Sequence, residues 1–158
     1  MTDQNNLSAL SYKIKISGAT NLEMRCQSVL LPGVNLGTFQ VATPFIMMQE
    51  PANFSYGSPL VITFMVGENL ADYLEVYNWM TGLGQPDGFD RPYNRKFSDA
   101  SIMILNSAYK TIFNVRFEQI FPLALSQIEF SSTLTEVQYI TAQASFNFDR
   151  FYYDKIEP

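Results

Sequence analysis

The chain has little with which to do chemistry. It contains no histidine and a single cysteine, Cys26, in 158 residues, so the commonest general base and the commonest activator of a nucleophile are both missing. A zinc site is left almost without ligands, and an intrachain disulfide is impossible. What remains are carboxylates. Asp87 and Asp90 share one stretch, and Glu68, Asp72 and Glu75 gather where a helix is expected to begin; two carboxylates at the right separation could serve a hydrolase. Carboxylates near a helix N-terminus also meet its dipole favourably, and loop aspartates serve turn geometry, so structural roles explain both groups better. Gly82-x-Gly84 resembles part of a phosphate-binding fingerprint, but it ends the expected helix, and anions are held where helices begin. Cys26 alternates with core residues on an expected strand, which makes it a buried, inert thiol. No catalytic residue, metal ligand or cofactor is expected.

Charge narrows the partners. The net charge is -5, and Arg91, Arg95 and Lys96 form the only tight basic group, too little for a grip on a phosphate backbone. The stretch from Met1 to Leu10 is polar and acidic where a signal peptide needs a basic start and an apolar run, and no stretch is long and apolar enough for a membrane span. The expectation is a protein made in the cytosol with no membrane partner. Its length suits one domain, taken as residues 12–158 behind a short polar segment, 1–11. Only 16% of residues are charged, against thirteen Phe and nine Tyr, a balance that suits surfaces hidden against partners as well as a core.

The positioning elements are mostly strands. Tyr12 to Ile16 and Leu22 to Leu30 show alternation and predict a hairpin across a turn at residues 18–21. Leu31-Pro-Gly33 predicts a corner, with proline fixing one dihedral and glycine free to supply a positive one. Leu60 to Val66 is a nearly continuous apolar run between Pro59 and Gly67, as expected of a central strand covered on both faces. Asn69 can cap a helix from Leu70 to about Leu83, with Leu70, Tyr73, Leu74, Tyr77 and Met80 on one face and Val76, Trp79, Met80 and Leu83 on an adjoining stripe. Residues 85–99, rich in Pro, Gly and Asp, predict a surface loop. Beyond it come strands at Ala100 to Leu105, at Ile112 to Phe121 and, as the longest, at Val137 to Phe148, where Gln143, Ser145 and Asn147 fall on the polar face. Six to eight strands and one helix make the chain mainly β, a single antiparallel β-barrel or sandwich with one flanking α-helix and a projecting arm.

The arm is the segment that core packing explains least. Between Val34 and Pro59 no clean period holds, and Phe45, Ile46, Met47, Met48, Phe54 and Tyr56 crowd around Pro51 at the presumed tip of a long hairpin. Burial in the core is one explanation. Flexible methionines and aromatics on a projecting hairpin are also what a subunit presents to a neighbour.

The order of these elements resembles the tail tube family of contractile, T4-like phages. The likeness is carried by Leu31-Pro-Gly33, the long hairpin, Ser58 to Val66, the acidic-start helix with Tyr77-Asn-Trp79, then Ile120-Phe-Pro122, Glu129-Phe-Ser131, Val137 to Phe146 and the aromatic Phe151-Tyr-Tyr153. It covers about Tyr12 to Tyr153 and extends to tube-like baseplate initiators and to tube terminators. It implies a β-barrel that forms rings, presumed hexameric, stacked into a tube inside a sheath. Further implications are contacts with sheath, baseplate or neck proteins and a tape measure protein, DNA that passes through without specific binding, and a place in the virion tail. In that frame the 45–56 arm would make the inter-ring contact, and Gln143, Ser145 and Asn147 would face the bore. A carbohydrate-binding β-sandwich module is a distant alternative, with exposed Tyr and Trp as sugar platforms.

Overall fold

The computed structural model describes residues 6–84 and 97–156. Among them nine strands and two helices follow in order. They are β1 (Tyr12–Ile16), α1 (Thr20–Arg25), β2 (Cys26–Leu30), β3 (Val34–Ala42), β4 (Met47–Tyr56), β5 (Leu60–Met65), α2 (Ala71–Gly84), β6 (Ser98–Leu105), β7 (Thr111–Leu125), β8 (Thr141–Asn147) and β9 (Arg150–Lys155). Every pairing is antiparallel. The main sheet runs β1-β6-β7-β8-β5-β2 with β9 also on β7, and β3 pairs only with β4.

β7 is the spine. Its first half lies between β6 and β9, and its second half pairs with β8. β8 and β9 hold one register along it, since Phe121 faces Asn147 and Glu118 faces Arg150, so the two are one bent strand interrupted at residues 148–149. The bend lies opposite Gln119, whose φ of 54° is left-handed, and the register between β6 and β7 shifts there too. A bulge of this kind turns a sheet. It folds the sheet into two halves, β1-β6-β7-β9 and β7-β8-β5-β2, around one core.

Alternation fills that core. On β5 the residues Leu60, Ile62 and Phe64 are fully buried, on β7 Val115, Phe117 and Ile120, and on β8 Ala142, Ala144 and Phe146. The expected central strand is present as β5 and paired on both edges, but it is buried on one face only, that of Leu60, Ile62 and Phe64, with Val61, Thr63 and Met65 half-buried on the other. The barrel is not closed: β1 and β2 do not pair, and the Tyr12 hydroxyl bridges the seam by donating to the Gln27 carbonyl at 2.5 Å.

Several expectations change. The early hairpin does not form: β1 pairs with β6 and β2 with β5, and residues 20–25 between them are helical. The positions that looked like alternating strand residues bury Ala19 and Leu22 with Cys26 half-buried, a three-then-four spacing that suits a helix, while Met24 is 79% exposed. A window of six residues cannot separate the two periods. Gly18, just ahead of α1, is left-handed at φ 81°. The corner at Leu31–Gly33 does carry the chain from β2 to β3, but without a left-handed glycine there; the Gly33 carbonyl instead accepts the Gly57 N–H at 2.8 Å, closing the base of the hairpin.

On α2 the buried stripe is Val76 with Tyr73, Trp79 and Met80, and Leu74 and Tyr77 face outward. The stripe is rotated from the first face expected because the helix start is fixed elsewhere. Asn69 accepts the Ala71 N–H, and both oxygens of buried Asp72 accept the Gly67 N–H at 3.2–3.3 Å. The longest strand is β7, and β8 starts at Thr141 instead of Val137, where β5 ends and no longer offers an edge. Pro51 is not at the tip of the arm. It sits within β4 beside a register shift, and the tip is the turn at residues 43–46. Most of the expected 85–99 loop lies outside the described residues, and β6 already begins at Ser98.

Candidate functional site

Two surfaces stand out, and neither is a catalytic cleft. The first is the arm. β3 and β4 form a ladder from Val34–Tyr56 to Ala42–Met47, and no residue in it is buried. A lone two-stranded ribbon is marginal in water, yet this one carries Phe45 at 93%, Ile46 at 66% and Met47 at 61% exposure, with Met48 and Phe54 also exposed. Glu50 is the one Asp, Glu, Lys or Arg in either strand. Proline is tolerated within β4 because its outer edge has no strand to pair.

The arm is rigidly rooted. Tyr56, at its base, is half-buried against Phe148 and Phe151, with ring centroids 4.9 Å and 5.1 Å away. Its hydroxyl accepts the Phe151 N–H at 3.3 Å. Phe117 stacks into the same group, 5.2 Å from both Phe148 and Phe151. Tyr56 therefore joins the arm to the core, whereas Phe45, Ile46, Met47 and Met48 lie at the far end.

The second surface is the outer face of the β7-β8-β5-β2 half-sheet. Gln143 and Asn147 are exposed and Ser145 half-buried, all on β8 and pointing away from the core. Around them β2, β5, β8 and β7 from Gln119 onward contain no Asp, Glu, Lys or Arg. The other half-sheet is the reverse. Its outer face carries Lys13, Lys15 and Asp99 and two ion pairs, Arg116–Asp154 at 3.1 Å and Arg150–Glu118 at 2.6 Å. The Arg150 guanidinium holds the Glu118 carboxyl below the usual carboxylate range. The contrast between halves is invisible along the chain because the uncharged strands are scattered through it; only the topology gathers them.

Asp72 is buried and engaged by backbone N–H groups at the start of α2, a structural use, and Asp87 and Asp90 lie outside the described residues. Cys26 is half-buried in the seam, where burial pushes its thiol up. Among the described residues no three metal-ligating side chains cluster, and no helix is long and apolar enough to cross a membrane. Trp79 is half-buried with its ring 6.0 Å from Phe146, which withdraws it as a sugar platform.

This combination of a bent antiparallel sheet, a helix over its core and a free apolar arm agrees with the sequence comparison: the model of the phage tail tube protein family matches residues 3–154. The chain belongs to that family. Among relatives of this tail tube family member, the tail tube terminator protein of Enterobacteria phage T4 is 26% identical, over 97% of this chain and 90% of that protein. The tube terminating cap of the anti-feeding prophage shares the fold, with a TM-score of 0.69 at 15% identity over 99% of this chain and 95% of that one. So does the sheath-tube complex of the extracellular contractile injection system PVC, with a TM-score of 0.70 at 12% identity over 97% and 94%.

Proposed function

We propose that this tail tube family member is a structural, non-enzymatic ring subunit stationed at the end of a phage tail tube. The observation that carries the ring is the arm: an apolar ribbon whose tip is almost wholly exposed, rooted in a rigid aromatic base, has no function inside its own monomer. Phe45, Ile46, Met47 and Met48 contact the neighbouring ring or the protein that sits on the tube. Tyr56 fixes the angle at which the arm leaves the barrel.

The uncharged half-sheet faces the bore, with Gln143, Ser145 and Asn147 at its centre. A conduit for DNA should neither hold phosphates nor hinder their approach, and a polar wall without fixed charge does neither. The charged half-sheet then faces outward, towards sheath or neck proteins. Likeness to a terminator over nearly the whole chain favours the end of the tube over its shaft. Closed rotational symmetry, with six copies as the family's expected number, satisfies the free edges of β1, β2 and β9.

Negative-stain imaging of the purified protein distinguishes the stations. Single rings are expected of a terminator; long tubes would assign the chain to the shaft.

A further inference from the structure

Side chains occupy backbone groups at the free edges of the sheet. In an antiparallel ladder alternate residues turn their N–H and carbonyl groups to the partner strand, and the rest turn them the other way. Along β1 the Ser11 carbonyl accepts the Leu105 N–H, and the Ser17 N–H donates to the Asp99 carbonyl. The backbone groups of Lys13 and Lys15 therefore face β6, and those of Tyr12, Ile14 and Ile16 face outward, where no strand pairs among the described residues. At Ile16 both are taken up: the Glu23 carboxylate accepts its N–H, and the Ala19 N–H bonds its carbonyl.

β9 repeats this arrangement. The Ile156 N–H donates to the Ile112 carbonyl, and the register continues without a shift to Arg150 opposite Glu118. The backbone groups of Tyr152 and Asp154 thus face β7, and those of Phe151, Tyr153 and Lys155 turn outward. The Phe151 N–H is held by the Tyr56 hydroxyl at 3.3 Å. β2 is the third edge. Gln27 has no partner on β5, because the ladder steps from Cys26 opposite Phe64 to Ser28 opposite Thr63, and its carbonyl accepts the Tyr12 hydroxyl at 2.5 Å. Side chains from α1, β4 and β1 thus reach the three edges that a closed ring would have to satisfy. The bulge in β2 and the exposed Lys13 and Lys15 on β1 are further features that discourage strand pairing at an edge.

We propose that Glu23, Tyr56 and Tyr12 are edge plugs, a device that rests on the ring reading and restrains its assembly: they occupy edge groups in the isolated chain and release them when a second copy joins. The bonds suit such an exchange. Each plug is a side-chain hydrogen bond, of small net strength in water, whereas a strand added at an edge supplies several main-chain bonds together. The Tyr56 ring also packs on Phe148 and Phe151, so the root of the arm does not depend on the hydroxyl. The outward groups of Tyr12 and Ile14 on β1, and of Tyr153 and Lys155 on β9, have no strand opposite them, and pairing can begin there.

The test is sedimentation velocity of the full-length protein over a concentration series, wild type against Y56F, E23A and Y12F, with circular dichroism to follow the fold. Each variant removes one plug and is expected to lower the midpoint concentration of association about fivefold, the net contribution of one hydrogen bond, and the triple variant to lower it further. Tyr109 is 78% exposed and plugs nothing, so Y109F should leave the midpoint unchanged. Hydrogen exchange reads the β9 plug directly: at concentrations where the chains are monomeric, the Phe151 amide should exchange faster in Y56F than in the wild type, and equal exchange would overturn that plug. Folded variants that associate no more readily than a wild type that does form rings would overturn the plugs and leave the ring reading standing. A gain as large in Y109F would show general stickiness and overturn the plugs as well. Chains that stay monomeric at every concentration, wild type and variants alike, would overturn the plugs and the self-assembling ring together.

Discussion

Replacing the two tip residues of the arm, as F45S/I46T, separates folding from assembly. Phe45 is 93% and Ile46 66% exposed, so neither supports the core, and their loss should change monomer stability by no more than about 0.5 kcal/mol. At an inter-ring contact the same side chains leave water. Full burial of a large apolar side chain contributes about 1.5–3 kcal/mol. Nearly all of Phe45 and two thirds of Ile46 remain to be buried, which gives about 3 kcal/mol per arm, or roughly a hundredfold in affinity. Thermal unfolding by circular dichroism measures the first quantity. Co-sedimentation with tails lacking the wild-type protein, or stacking of rings by electron microscopy, measures the second. A variant that docks like the wild type would refute the role of the arm. One that melts well below the wild type would show instead that the tip packs within the monomer.

Other outcomes follow from the same geometry. In α2, Val76→Ala should destabilise by about 1–2 kcal/mol in urea unfolding, while Tyr77→Ala, on the outward face, should stay within about 0.5 kcal/mol; equal effects would contradict the orientation of the helix. The wild-type protein should show no salt-sensitive DNA binding in filter assays, and Q143K/N147K should create it, the affinity falling as salt rises. Glu118 is held below its ordinary range by Arg150, so its contribution is present above that range and fades as acid protonates it. Glu118→Gln should therefore differ from the wild type at neutral pH and converge with it in acid, as followed by thermal midpoints.

How much was legible depended on whether one period dominated a long enough window. Leu60 to Met65 was legible as a strand from its continuous apolar run, though the burial of only one of its faces was not; Phe113 to Phe117 within β7, which alternates against the core, was clear from sequence. The arm was visible as an apolar stretch that fits no core period. Residues 20–25 were not, since six residues satisfy strand and helix spacing alike and the burial of Leu22 decides between them. The α2 stripe was offset because two apolar stripes adjoin, and Asp72 with Gly67, a contact across a turn, sets which one faces inward. Residues 137–139 have a strand's sequence, but pairing needs an edge, and β5 ends first; just past it the Val66 N–H still reaches the Ile140 carbonyl. The uncharged face required the topology, because its strands come from four separate parts of the chain.

Cryo-electron microscopy of intact tails tests the central claim most directly. A single closed ring of this chain is expected at the end of the tube, with Gln143 and Asn147 towards the bore and the tips of the arms on the neighbouring layer. Tails without this chain, or a ring whose charged half-sheet lines the bore, would contradict it.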